Sequence, residues 1–158
     1  MGDRHATLLA TLDQIVHRVA ADQGVEAVEI SLRGNSQRRI LRVDIDRAGP
    51  EGVGIQDCQR VSEALGDALD QDDPLAASYV LEVSSPGIDR PIQSDDDIRR
   101  NTGRLVRVTL DEAVEGAVEH SGRLVGREED ALILETSDGA SIRLPWSRVT
   151  EARQDIDL

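Results

Sequence analysis

The chain has 158 residues, 39% of them hydrophobic, which is enough core for one domain or two small ones. It carries 31 acids against 18 basic residues, every one an arginine, for a net charge of −13. The excess is spread evenly (8 Arg against 15 acids in residues 1–86, 10 against 16 in residues 87–158), so the surface repels phosphate backbones at long range and favours a basic partner over general nucleic-acid binding.

A salty or GC-rich host would produce the same bias. The apolar runs are too short for a membrane-spanning helix, and the N-terminus does not read as a secretory signal. Cys58 is the only cysteine, which excludes an internal disulfide and a cysteine-based zinc site. A cytoplasmic protein is expected. With no Phe and only Tyr79 and Trp146 as aromatics, the core must be built from Leu, Ile, Val and Ala.

Residues 3–23 predict a helix, with Leu8, Leu12, Ile15, Val16 and Val19 on one stripe and Gly24 as its stop. Val28, Ile30 and Leu32 alternate as a strand, Gly34-Asn35-Ser36 turns the chain, and Leu41, Val43 and Ile45 alternate in the return strand. Residues 55–71 predict a second helix with Ile55, Cys58, Val61, Leu65 and Leu69 on its apolar stripe. A strand follows at 79–84. This order predicts a three-stranded sheet with two helices on one face, an α+β layer pair.

The second half differs. Ser94 ahead of Asp95, Asp96 and Asp97 predicts the start of a short helix. Short alternating runs then occupy 104–110, about 117–128, 131–136, 140–145 and about 149–153, with Asp138-Gly139 as a hairpin turn. Five short strands predict a small closed barrel of SH3 or Sm type.

No catalytic constellation emerges. Ser84 and Ser85 sit at a strand end without a G-x-S-x-G elbow, His5 and His17 fall on the first helix, and His120 is placed in a polar turn. Asp95–Asp97 suit a helix first turn rather than a cation site, because consecutive helical side chains diverge. Asp44 and Asp46, beside Arg42, are expected on a solvated strand face. Gly52-Val53-Gly54 lacks the third glycine of a dinucleotide fingerprint and is not expected to open a βαβ unit. Cys58 and Trp146 are expected in the core, and no metal or cofactor is implied.

The most specified stretch is residues 81–92, LEVSSPGIDRPI. It starts as a strand and continues into a stiff elbow: Ser85 and Arg90 precede prolines and are held extended, and Pro86-Gly87 suits the centre of a type II turn. Ser84, Ser85, Pro86, Gly87, Asp89, Arg90 and Pro91 are therefore the candidate contact residues, with Asp89 and Arg90 either pairing to hold an interdomain angle or offering Arg90 to a partner.

Residues 79–91 closely resemble the motif of the bacterial ribosome maturation factor RimP family. Asp57-Cys58, Val61-Ser62 and Leu69-Asp70 resemble its second helix; Arg99, Gly103-Arg104, Leu144-Pro145 and the stretch 149–153 resemble its barrel. The resemblance implies an N-terminal KH-like α-β-β-α-β domain (1–86), an interdomain elbow (87–93) and a C-terminal Sm-like (SH3-like) β-barrel (94–158). It further implies a non-enzymatic, monomeric factor without cofactor that binds the free 30S small ribosomal subunit during late assembly, contacting a basic ribosomal protein near the decoding centre, 16S rRNA, or both. An RNA-binding module of Sm or KH type acting elsewhere is the alternative.

Two departures stand out. Ile98 occupies a position where an aromatic is common, and the stretch 111–120 carries Asp111, Glu112, Glu115 and Glu119 with no Arg, which disfavours rRNA contact there.

Overall fold

A computed structural model describes residues 2–35, 37–72, 74, 78–86 and 90–155, with side chains from residue 6 onward. The protein is α+β and divides into two compact units. One comprises Met1–Arg47 and Val53–Pro86, the other Ala48–Gly52 and Gly87–Leu158.

The first unit contains helix α1 (Gly2–Asp22), strands β1 (Glu26–Gly34) and β2 (Arg39–Asp46), helix α2 (Ile55–Asp72) and strand β3 (Tyr79–Ser84). Gly24 ends α1 at φ 76°, which lets the Val25 amide reach back to the Ala20 carbonyl at 3.0 Å. Strand order is β1-β2-β3, antiparallel between β1 and β2 and parallel between β2 and β3. The expected helical stripes meet one sheet face. Leu12, Ile15, Val16 and Val19 of α1 join Val61, Leu65 and Leu69 of α2 over Leu41, Val43 and Ile45 of β2. Each such burial contributes about 1.5–3 kcal/mol.

Three expectations are corrected here. The β1–β2 register shifts between Ala27 and Glu29, so Ala27, not Val28, joins Ile30 and Leu32 against the core. Asp44 and Asp46 are buried, 9% and 6% exposed, rather than solvated. For Asp44 the reason is strand order: β2 is central, so Asp44 lies between Glu29 of β1 and Ser84 of β3, whereas Asp46 pairs with Glu26 of β1 and accepts from the Arg47 amide at 2.8 Å. Finally, β2, α2 and β3 do form a βαβ unit, with Gly52 and Gly54 ahead of its helix.

The second unit contains α3 (Asp95–Asn101), β4 (Leu105–Val114), β5 (Ala117–Glu128), β6 (Ala131–Glu135), β7 (Ser141–Pro145), a 3-10 turn (Trp146–Arg148) and β8 (Val149–Gln154). All pairings are antiparallel, in the order β7-β6-β5-β4-β8. Among the described residues β7 and β8 are the two ends of this ladder, so the expected closed barrel is not found. Pro145 has no N–H, and after it the chain turns into the 3-10 segment Trp146–Arg148, while the Trp146 amide bonds the Asp130 carbonyl at 2.6 Å on the β6 side.

Val106, Val108, Leu124, Leu132, Leu134 and Leu144 fill the core, with Trp146 only partly buried against it. His120, expected in a turn, lies on β5 opposite Val108. The turn before it is tighter than expected: Glu115 and Gly116 both have positive φ (51° and 84°) between the paired Val114 and Ala117, the geometry of a two-residue hairpin.

Candidate functional site

The structure divides the elbow motif between the two units. On the first, Ser84 ends β3 beside Asp44 of the parallel β2. Parallel register places both on the face opposite the helices. The Ser84 hydroxyl donates to Asp44 Oδ1 at 2.9 Å, Arg42 Nε donates to the same oxygen at 3.4 Å, and Arg42 Nη2 reaches the Ser84 hydroxyl at 3.5 Å. A serine bonded straight to a carboxylate, with no histidine between them, is not the Ser-His-acid arrangement of an acyl-transfer triad. His17 instead lies 3.3 Å from Asp13 on α1, and the His120 ring meets the Ala117 carbonyl at 2.9 Å. Ser85 is exposed and Pro86 half-buried. Gly87 and Asp89 lie outside the described residues.

On the second unit, Pro91 forms a β-bridge with Arg153, and the Ile92 amide donates to the Ala152 carbonyl at 2.7 Å. This pins the end of the motif along β8. Arg90 Nε donates to Asp97 Oδ1 at 3.4 Å.

Asp97 is the hub of this region. Ser94 caps α3 by accepting from the Asp97 amide at 3.0 Å, while the Asp97 carboxylate accepts from the Ser94 and Gln93 amides at 3.1 and 3.0 Å, a capping box. Its other oxygen takes Arg100 Nη2 at 3.0 Å. Asp97 and Arg100 are only 4% and 8% exposed. Burial pushes the Asp97 carboxyl up, but the two amides, Arg100 and Arg90 outweigh it and hold it below its ordinary value. Sequence reasoning placed Asp97 in a helix first turn and missed this hub. The Ser94-x-x-Asp97 spacing was the available signal.

A second cluster went unnoticed because its members lie far apart in sequence. Asp57, in the first turn of α2, accepts from Arg47 through both terminal nitrogens (3.3 and 2.9 Å), from Arg60 at 2.9 Å and from the Gly54 amide at 3.0 Å. Arg47 leads the causes that hold its carboxyl well below the usual carboxylate range. Asp57 stands where a dinucleotide fingerprint would carry its third glycine. The helix N-terminus is thus already occupied by the chain's own anion, and a pyrophosphate would meet a carboxylate.

The remaining candidates pack within their own units. Cys58 packs against the first core, where burial raises its thiol pKa, the opposite of nucleophile activation. Arg127 lies 5.8 Å from the Trp146 ring centroid, so a guanidinium already occupies its vicinity. Among the described residues no group of His, Cys, Asp and Glu is arranged to hold a metal ion, and no helix is long and apolar enough to cross a membrane.

Two described motif side chains bond inward: Ser84 to Asp44 and Arg90 to Asp97, each within its own unit. That suits a binding scaffold, and comparison with known families gives it an identity. Residues 15–89 match the family model of the RimP N-terminal domain. Over this span the chain carries a RimP N-terminal domain. RimP is a family of ribosome maturation factors. The matched span runs from the inner part of α1 through both hairpin strands, α2 and β3 into the elbow motif. It therefore covers Asp44, Asp57 and Ser84 together with most of the core beneath them.

Proposed function

We propose that this protein is a non-catalytic factor of the RimP family that binds the free 30S small ribosomal subunit and assists its late assembly. The RimP N-terminal domain over residues 15–89 is the observation that carries this reading. The net charge of −13 supports contact with a basic ribosomal protein near the decoding centre, alongside 16S rRNA.

The helix and strand order of the first unit suits a KH-like domain over 1–86. In the second, the last strand β8 returns beside the first strand β4, which suits an Sm-like arrangement over 94–158, open rather than closed. Residues 87–93 are the elbow of this proposal, and the factor acts as a cytoplasmic monomer without cofactor. Ser84 held by Asp44, with no histidine between them, supports the absence of hydrolase chemistry.

Pelleting with purified ribosomal particles tests the reading. The protein should sediment with free small subunits and not with mature 70S ribosomes; equal recovery with both refutes it. Its on-rate for the subunit should also fall with added salt, as the screening length contracts to about 8 Å at physiological ionic strength.

A further inference from the structure

Nearly all the described arginine side chains of this acidic chain are partnered internally. Among the described side chains, each is within ion-pair or hydrogen-bond reach of an acid or a carbonyl, as with Arg18 and Asp72 (3.7 Å), Arg127 and Asp95 (2.8 Å) and Arg123 and the Gly103 carbonyl (2.5 Å), with three exceptions. Arg33, Arg38 and Arg39 have no such partner among the described residues. All three lie at the end of the β1–β2 hairpin, where residues 33–39 contain three arginines and no acid. We propose that this hairpin tip is a phosphate-binding surface that contacts RNA. The inference deepens the proposed function and rests on it, since a maturing ribosomal subunit supplies RNA as the partner polyanion.

Register fans the three cations around the tip. Arg33 pairs with Ile40 and shares the open face with Ser31, Arg39 pairs with Gly34 on the helix side, and Arg38 stands in the turn. Arg33 and Arg38 are exposed and Arg39 is half-buried.

The turn holding them is braced. Asn35 Oδ1 accepts from the Gln37 and Arg38 amides at 2.9 and 3.0 Å, and the Asn35 amide donates to the Arg38 carbonyl at 3.0 Å. Gly34 has φ +91°, and any Cβ there would lie 2.0 Å from the Arg38 carbonyl oxygen. The tip is thus preorganised, which lowers the entropy lost on docking.

The overall charge does not prevent this. Screening limits unpaired surface charges to about 8 Å at physiological salt. Along β1 the next acid is Glu29, about 13 Å of backbone from Arg33 at ~3.3 Å per residue, and it lines an open-face cavity with Arg33, Arg42 and Asp44 without pairing to Arg33. Along β2 it is Asp44, about 17 Å from Arg39 on the same rise and already held by Ser84 and Arg42. On β3, Glu82 sits beside Arg42 rather than at the tip. Asp72, at the end of α2, faces Arg18.

Titrating fluorescently labelled full-length protein with protein-free 16S rRNA across a salt series tests the proposal. About 0.7–0.9 counterions are released per phosphate contact, so the wild-type log–log slope should be near −2 to −3. R33Q/R38Q/R39Q should lose most of that slope and bind at least about tenfold more weakly near 100 mM salt, while R33K/R38K/R39K keeps the slope. Unchanged slope and affinity in the glutamine variant overturn the proposal, as does an absence of wild-type rRNA binding. Polyglutamate competing as well as rRNA overturns the assignment to RNA. Pelleting separates this inference from the function beneath it: a glutamine variant that sediments with free small subunits exactly as wild type does, with unchanged rRNA binding, refutes the hairpin alone. Failure of the wild-type protein to sediment refutes the functional reading.

Discussion

Replacing Asp97 by asparagine tests the hub that anchors the second half of the motif. The carboxylate accepts from two backbone amides and two guanidinium groups while only 4% exposed. Asparagine keeps the shape but removes the charge that Arg100, itself 8% exposed, depends on. It also turns an amide donor toward at least one donor. Breaking a buried ion pair by removing one partner costs about 3–5 kcal/mol, and the retained carbonyl oxygen argues for the lower end, ~3 kcal/mol.

Trp146 is the only tryptophan and belongs to the second unit, so its fluorescence reports that unit alone. At about 4–8 °C per kcal/mol for a unit this small, its midpoint should fall by roughly 12–24 °C. Asp96→Asn is the control: its side chain is 73% exposed and its pair with Arg99 is a surface one, so the change should stay within about 0.5 kcal/mol. The pH response follows from the same bonds. Asp97 has a folded pKa below its unfolded one, so its contribution is present above pH ~4 and fades as pH falls through the folded value. The variant should lack that part of the acid loss. A Trp146 midpoint within about 2 °C of wild type at neutral pH refutes the reasoning, since that is under half a kcal/mol on this scale.

Further outcomes follow from the other sites. Ser84→Ala removes the hydroxyl donor to Asp44 and should cost about 1–2 kcal/mol, seen in the helical far-UV signal of the first unit with the Trp146 transition unmoved. Gly122→Ala would place a Cβ 2.7 Å from the Glu135 carbonyl oxygen, forcing β5 off β6, and should lower the Trp146 midpoint by the equivalent of about 1–3 kcal/mol. The Asp57 carboxyl, held down by Arg47, the Gly54 amide and Arg60, should keep an unmoved carbon resonance as pH falls through 4, where exposed acids titrate; stability tied to it disappears only at lower pH.

Local pattern made most elements legible. The three- and four-residue spacing in α1 and α2, the alternation through β2 and β3, and Ser94 ahead of three acids each led to the element observed. What escaped was set by contacts distant in sequence. Asp44 looks solvated from β2 alone, because only the position of β2 between β1 and β3 buries it. The register shift at Ala27 depends on pairing with β2, and the Arg47–Asp57–Arg60 cluster needs the β2–α2 connection folded back on itself. The barrel expectation counted strands correctly, but which strands pair, with β7 bonded to β6 and β8 to β4, is decided by contacts far apart in sequence. The arginines of the hairpin tip were individually unremarkable. They stand out only once the structure shows where the other arginines are spent.

That contrast leads to a last prediction. A side chain whose hydrogen bonds are satisfied within its own unit loses them when truncated, so the damage appears in folding. Ser84 bonded to Asp44, and Arg90 bonded to Asp97, are of this kind. A side chain with no internal partner has little to lose on folding, and its truncation shows only when a ligand is present. Arg33 and Arg38 are of that second kind. Ser84→Ala and Arg90→Gln should therefore lower unfolding midpoints and leave subunit affinity near wild type at temperatures where the variants stay folded. Arg33→Gln and Arg38→Gln should leave the midpoints within about 0.5 kcal/mol and lower affinity. Measuring midpoint and small-subunit affinity on the same preparations puts the two groups on separate axes. Motif variants that bind poorly while fully folded would show that the elbow touches the partner directly, and would refute the division drawn from the bonding pattern.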